Sequence, residues 1–288
     1  MRRLNYELKQ LGLSNRDGSF TTQANRAHML SLMATQLYEL GYKKLHADEL
    51  KGRHVNALVQ RWRVEGLAPG TLKNRLSVLR WWATKIGRPG VLPADNTVYG
   101  VPARQYVATL SKAQELDRAK LAAIRDPYVR LSLELQRAFG LRREEGVKIK
   151  PRQADHGDRL VLQGSWTKGG RPREVPIRTA AQREVLDRAK ALARSGALIP
   201  PTRRYAEQRR VYERETARVG LSKMHGLRHA YAQERFAELA GFAAPAAGGP
   251  TRALLTPEQR EIDYDVRLII TEELGHAREE ITRMYLGR

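Results

Sequence analysis

Apolar positions recur at helical spacing through most of the chain. Leu30, Met33, Leu37 and Leu40 share one face of residues 26–40. Val55, Leu58, Val59 and Trp62 repeat the pattern over 53–65, and Leu72, Leu76, Leu79 and Ile86 over 71–87. Steps of three and four describe helices with one buried stripe. Gly41, Gly66 and Gly87 stand where these runs stop, as helix-ending glycines do. Residues 1–90 therefore predict a small helical bundle. Residues 88–110 hold three prolines and no helical period, which predicts a linker over about 91–110.

Helices are expected to resume at Ser111, with Gln114 completing a capping box, and again at Asp126-Pro127, where Leu131, Leu135 and Ala138 form the stripe. Residues 158–163 and 173–178 alternate as strands do, and GSWTKGGRP between them is rich in turn formers. This predicts a β-hairpin. Further helices are expected at about 180–194, 202–218, 228–240, 257–274 and 278–286. Residues 241–256, GFAAPAAGGPTRALLT, look like a flexible insertion. The pattern thus predicts a mainly α fold with a small β-hairpin, in two domains, 1–90 and 111–288.

Charge narrows the partner. The 288 residues carry 52 Lys and Arg against 31 Asp and Glu, a formal net charge of +21. The excess is not a tail, because residues 1–110 hold 17 basic and 7 acidic side chains and the remainder 35 and 24. Within 51–90 the ratio is nine to one, and Lys73, Arg75, Arg80 and Lys85 of the third helix are candidate DNA contacts. A polyanion, and double-stranded DNA above all, is the expected partner. The absence of cysteine excludes a disulfide scaffold, a thiolate metal site and a cysteine nucleophile. It fits a cytoplasmic, nucleoid-associated protein. No apolar run approaches the roughly 18 residues of a membrane span.

Metal hydrolysis finds little support. His225 and His229 are spaced for zinc on a helix, but Gly226 stands where a zincin has glutamate, and no third ligand is evident. There is no phosphate-binding Gly-Lys-Ser/Thr loop. An ordered series of cations and imidazoles remains: Arg142 in FGLRREEG, Lys168 in WTKGG, His225 and Arg228 in MHGLRHAYA, His276 in EELGH, and Tyr285 nine residues further on.

In order, internal spacing and local context, these pieces resemble the tyrosine recombinases, the phage integrase family. The likeness rests on G-L-R-x-x-E at 140–145, K-G at 168–169, H-x-L-R-H at 225–229, L-G-H at 274–276 and the tyrosine beyond. It covers 111–288 well, and 20–87 more loosely resembles the family's helical core-binding domain. The interval from His225 to His276 is longer than the resemblance implies, which marks 241–264 as an insertion, expected to contribute to contact between subunits. Many members carry a helix beyond the tyrosine that docks on a neighbouring subunit. Here three residues follow Tyr285, which leaves the mode of docking open.

The chemistry suits these residue types. Two guanidiniums, Arg142 and Arg228, can neutralise a phosphodiester as charge builds in the transition state. Tyr285 can attack phosphorus and hold the strand as a 3′-phosphotyrosine. Lys168 can protonate the leaving 5′-oxygen, His225 can take the tyrosine proton, and His276 can hydrogen-bond the phosphate. Glu145 can orient His225 or the arginines. The resemblance assigns the same roles, with no metal and no cofactor, in a chain that is a monomer when free and a homotetramer on paired DNA sites. A type IB topoisomerase would share this chemistry, and a catalytically silent DNA-binding regulator would share the fold.

Overall fold

The computed structural model describes residues 2–102 and 107–288, which divide into two compact units, 1–104 and 105–288. The first unit contains α1 (Arg3–Ser14), α2 (Phe20–Glu39), α3 (Gly52–Val64) and α4 (Pro69–Lys85). Leu30, Met33 and Leu37 of α2, Leu58 and Trp62 of α3, and Leu76, Leu79 and Trp82 of α4 form its core, as their spacing predicts. The indole nitrogens of these two tryptophans donate to Gln36 Oε1 at 2.8 Å and to the Ala47 carbonyl at 2.7 Å, so both rings are buried without a polar cost. The first helix was not anticipated. Its short stripe, Leu4 and Leu8, is buried in the same core.

One expectation for this unit is corrected. The stretch beyond α4 is partly folded onto the bundle, because Leu92, Tyr99 and Val101 enter the core. Residues 103–106 of the expected linker lie outside the described residues. Arg75 and Arg80, expected as DNA contacts, are half-buried and also make contacts inside the unit. Arg80 donates to the Pro93 carbonyl and to Asn96 Oδ1 at 2.7 Å, which fastens the following turn. Arg75 lies over the Trp62 ring, and burial lowers its pKa. Lys85 is exposed and Lys73 half-buried.

The second unit begins with an extended segment where a helix was expected. Its first helix, α5 (Arg118–Ala122), is capped by Asp117. Ser111 instead donates to Gln233 Oε1 at 2.8 Å, and the Gln114 N–H donates to the Gly226 carbonyl at 3.1 Å. Then follow α6 (Pro127–Phe139), α7 (Arg143–Lys148), α8 (Pro151–Ala154), β1 (Arg159–Leu162), β2 (Arg173–Pro176), α9 (Ala180–Ala193), α10 (Tyr205–Arg218), α11 (Gly226–Ala240), α12 (Pro257–Glu273) and α13 (Glu279–Leu286). The two strands pair antiparallel, with Leu162 opposite Arg173. Leu160, Leu162 and Val175 join Leu135, Phe139, Leu186, Phe236, Ile270 and Leu286 in the main core.

The expected flexible insertion is ordered instead. Residues 245–247 and 252–254 form tight turns, and Ala244, Ala246 and Leu255 are buried. Residues 257–264 belong to α12. Small residues let this segment lie close against the chain's last turn: a Cβ on Gly287 would stand 2.7 Å from the Ala246 nitrogen. Among the described residues, no helix is long and apolar enough to cross a membrane.

Candidate active site

Two segments meet the Tyr285 side chain, the start of α11 and the turn at His276. Tyr285 lies near the end of α13, 6% exposed, with its hydroxyl 3.0 Å from His225 Nε2 and 3.3 Å from Arg228 Nε. His225 immediately precedes α11, and Arg228 lies one turn along it. Three attachments fix α13 to the rest of the unit. Ala108 N–H donates to the Arg283 carbonyl, Gln233 Nε2 to the Tyr285 carbonyl at 2.9 Å, and Arg267 Nη1 to the Gly287 carbonyl at 2.9 Å.

Arg228 is fully buried, and its donors are spent on the backbone of two motifs. One terminal nitrogen bonds the Gly140 carbonyl, and the other bonds the Leu274 carbonyl and lies 3.2 Å from His276 Nε2. These contacts explain two motif glycines. Gly140 and Gly275 both take positive φ, at 59° and 63°. A Cβ at Gly140 would also meet the Tyr231 ring at 2.5 Å, and one at Gly275 would meet Arg173 Cδ at 2.7 Å. His276 is held from its other side by Thr282 Oγ1 at 3.1 Å, which in turn lies 2.7 Å from Thr271 Oγ1.

Arg142 caps the start of α7, and its guanidinium meets Glu145 Oε1 at 2.7 Å. The same carboxylate accepts the Arg142 backbone N–H and a two-pronged hydrogen bond from Arg173, at 2.8 and 2.6 Å. Burial alone would raise the pKa of Glu145. The hydrogen bond from Arg173 and the charges of Arg173, Arg228 and Arg142 outweigh it and hold the carboxyl at about 2.

The imidazoles are pushed the other way. Burial, then the charges of Arg228, Arg142 and Arg173, take His276 down to about 3. Burial, with His225 and Lys112, takes His229 to about 4, and burial with Arg228 and Arg142 lowers His225. All three rings are neutral at pH 7. A neutral His225 can accept the tyrosine proton at the nitrogen that faces it. Arg228 falls to about 10 through burial and its cationic neighbours, so it keeps its charge.

The structure thus brings together Arg142, Glu145, His225, Arg228, His276 and Tyr285. Lys168 stands apart, exposed on a turn between β1 and β2, and makes no hydrogen bond or ion pair among the described residues. Sequence reasoning missed Arg173, although the alternation of β2 puts it on the inward side with Val175. His229, singled out in the sequence only for its spacing from His225, has its ring 4.4 Å from that of Tyr285 and tilted by 33°. The rival tyrosines are separated. Tyr231 is buried and donates to Glu273 at 2.6 Å, and burial and that carboxylate raise its pKa. Tyr264 is 54% exposed. Open recesses of about 360 and 520 Å³ meet at His225, with Arg143, Lys223 and Lys112 on their walls. Among the described residues, no cluster of three or more His, Asp or Glu is placed to hold a metal ion.

Residues 1–91 match the family model described as phage integrase, N-terminal, and residues 100–234 the one described as integrase. No curated protein matches the chain in sequence. Solved structures do. A lambda integrase dimer bound to a COC′ core site is 18% identical, over 98% of this chain and 76% of that one, with a TM-score of 0.60. XerH site-specific recombinase bound to difH substrate is 14% identical, over 98% and 80%, with a TM-score of 0.57. The integrase of the Tn1549 transposon in complex with circular intermediate DNA is 14% identical, over 98% and 95%, with a TM-score of 0.56. At such identities the likeness is one of fold.

Proposed function

The chain belongs to the tyrosine recombinase (phage integrase) family and is a site-specific DNA recombinase, and we propose that Tyr285 is the nucleophile with which it cuts and rejoins strands. The observation that carries this reading is the shared contact of the Tyr285 hydroxyl with a neutral imidazole, His225, and a buried guanidinium, Arg228. A nucleophile needs a base for its proton and a cation for the charge that develops at phosphorus.

Arg142 and Arg228 bind the non-bridging oxygens of the scissile phosphate, and His276 hydrogen-bonds it. His225 takes the proton as the tyrosine oxygen attacks phosphorus. The P–O5′ bond breaks, and the leaving oxygen takes a proton from Lys168, carried toward it by the hairpin turn. The strand is then held as a 3′-phosphotyrosine ester. One phosphoester replaces another, so a 5′-hydroxyl from a second duplex reverses the step without ATP. The step calls on no metal.

Double-stranded DNA is the partner. Lys73 and Lys85 in the first unit, and Lys112, Arg143 and Lys223 beside His225, supply phosphate contacts. The chain is a monomer when free and a homotetramer across two sites. Its place of action is the bacterial nucleoid.

Two assays test this on one protein sample. A duplex selected from a random-sequence pool by the wild-type chain, nicked near the cut site, should trap it covalently in EDTA. Two copies of that duplex on a plasmid should recombine. Relaxation of the plasmid without exchange between sites would favour a topoisomerase, and binding without trapping a silent regulator.

A further inference from the structure

Arg173 spends all three guanidinium nitrogens inside the protein. Two bind the carboxylate of Glu145, and Nε donates to the Glu273 carbonyl at 2.9 Å. The Glu145 carboxylate is fully buried and the Arg173 side chain 3% exposed. The next carbonyl along, that of Leu274, receives Arg228, and Gly275 leaves room for the Arg173 chain. Arg173 also sits on β2, five residues beyond Lys168.

The charges make sense of the arrangement. Each oxygen of Glu145 accepts one hydrogen bond from Arg173 and one from Arg142. Arg142 and Glu145 alone would sum to zero, and a phosphate near Arg142 would meet a neutralised pair. Adding Arg173 returns the group to a net +1. The Arg142 guanidinium is then oriented by the carboxylate without losing its field, and its side chain keeps 21% of its surface open. In a buried site that difference is large.

We propose that Arg173 is a positioning residue for strand cleavage, a counter-charge that lets Glu145 aim Arg142 while Arg142 keeps its pull on the phosphate. The proposal rests on the reading that Arg142 binds the scissile phosphate. It concerns how that residue stays available.

The test is single-turnover covalent trapping on the selected nicked duplex at saturating protein, with DNA affinity measured alongside. Arg173→Met should slow trapping at least tenfold with affinity kept within about threefold. Arg173→Lys retains the charge and should stay closer to wild type than to Arg173→Met. Arg173→Met combined with Glu145→Gln also sums to +1 and should recover much of the lost rate. A purely structural role would restore the fold in the double variant too, so thermal denaturation is measured alongside and the comparison is made on the trapping rate of folded protein: a role in stability alone predicts that folded Arg173→Met traps as fast as wild type. The pH profile adds a second readout. Arg173 is the largest of the influences that lower the Glu145 pKa, so the pH profile of Arg173→Met should shift toward faster trapping at lower pH relative to the wild type. The wild type should hold steady or decline.

Should Arg173→Met not fold, the lysine and double variants carry the test. The proposal is overturned if Arg173→Lys is as slow as a cleavage-dead control, or if the folded double variant recovers nothing. Trapping by no protein, wild type included, would instead overturn the nucleophile assignment, and this proposal with it.

Discussion

Tyr285 and Arg228 share one hydrogen bond, from the guanidinium Nε to the phenolic oxygen at 3.3 Å, and that nitrogen is the only one of the three on Arg228 not turned to a backbone carbonyl. The tyrosine oxygen thus sits on the donor that the proposed mechanism gives to a phosphate oxygen. Nucleophile and electrophile meet the same cation from opposite sides of the reaction.

Replacing Tyr285 by Phe removes one hydroxyl from this junction. The ring keeps its stacking on His229, so the fold should persist with a loss of about 1 kcal/mol, the usual worth of a hydrogen bond. Gel-shift affinity should be retained and covalent trapping abolished. A surviving covalent complex would move the nucleophile elsewhere.

The two arginines should differ in what their loss does. Arg142→Ala removes a part-exposed cation and should act mainly on rate, by about 10²-fold or more. Arg228→Ala also strands the Gly140 and Leu274 carbonyls in the interior, and should cost about 2–4 kcal/mol of stability besides. Thermal denaturation beside single-turnover trapping separates the two effects.

Acid should weaken the fold before the carboxylates titrate. His229 and His276 are neutral in the folded chain down to about 4 and about 3, whereas an unfolded histidine takes up its proton near 6.5. The unfolded state then binds more protons below pH 6.5, and stability falls with pH, by about 2 kcal/mol per ring at pH 5. Glu145 adds a loss in the same direction only below about 4.5, toward its folded value of about 2. Chemical denaturation at pH 7, 6 and 5 should show the decline, and His229→Asn should roughly halve it. A stability that does not change over that range would contradict neutral buried rings.

Lys168→Ala should slow cleavage of an ordinary duplex and restore it when the bridging 5′-oxygen is sulfur, which leaves without a proton. Equal slowing on both substrates would remove Lys168 from the acid role.

The turn at 245–247 should matter to cleavage through α13. Ala246→Asp places a bulky charge where the chain packs on Gly287, and should cost about 1–3 kcal/mol and lower trapping several-fold with DNA affinity unchanged. An unaltered trapping rate would mean that the segment does not brace the tyrosine.

Much of this was readable from residue order, and the rest failed for definable reasons. Helical stripes such as Leu72, Leu76 and Leu79 are local signals, and the structure buries them as their spacing predicts. The motif pieces 140–145, 225–229 and 274–276 were legible because each carries its own short spacing. Arg173 was not, since its partners Glu145 and Glu273 lie 28 and 100 residues away. Arg80 looked free because a helical face shows charge but not the Pro93 carbonyl that folds back to meet it. Leu92, Tyr99 and Val101 have no period at all, and only tertiary packing makes them core. The glycines of 241–256 suggested mobility, yet small residues also allow close packing, and that is their use beside Gly287.

The three backbone attachments of α13 all come from its own chain, through Ala108, Gln233 and Arg267. The two groups that touch the Tyr285 hydroxyl, His225 and Arg228, likewise lie on the same chain as the tyrosine. Where this same-chain pairing is the one that cleaves DNA, mixtures of a Tyr285→Phe chain with an Arg228→Ala chain should stay inert, and activity in the mixture would show a tyrosine lent from one subunit to another's arginines.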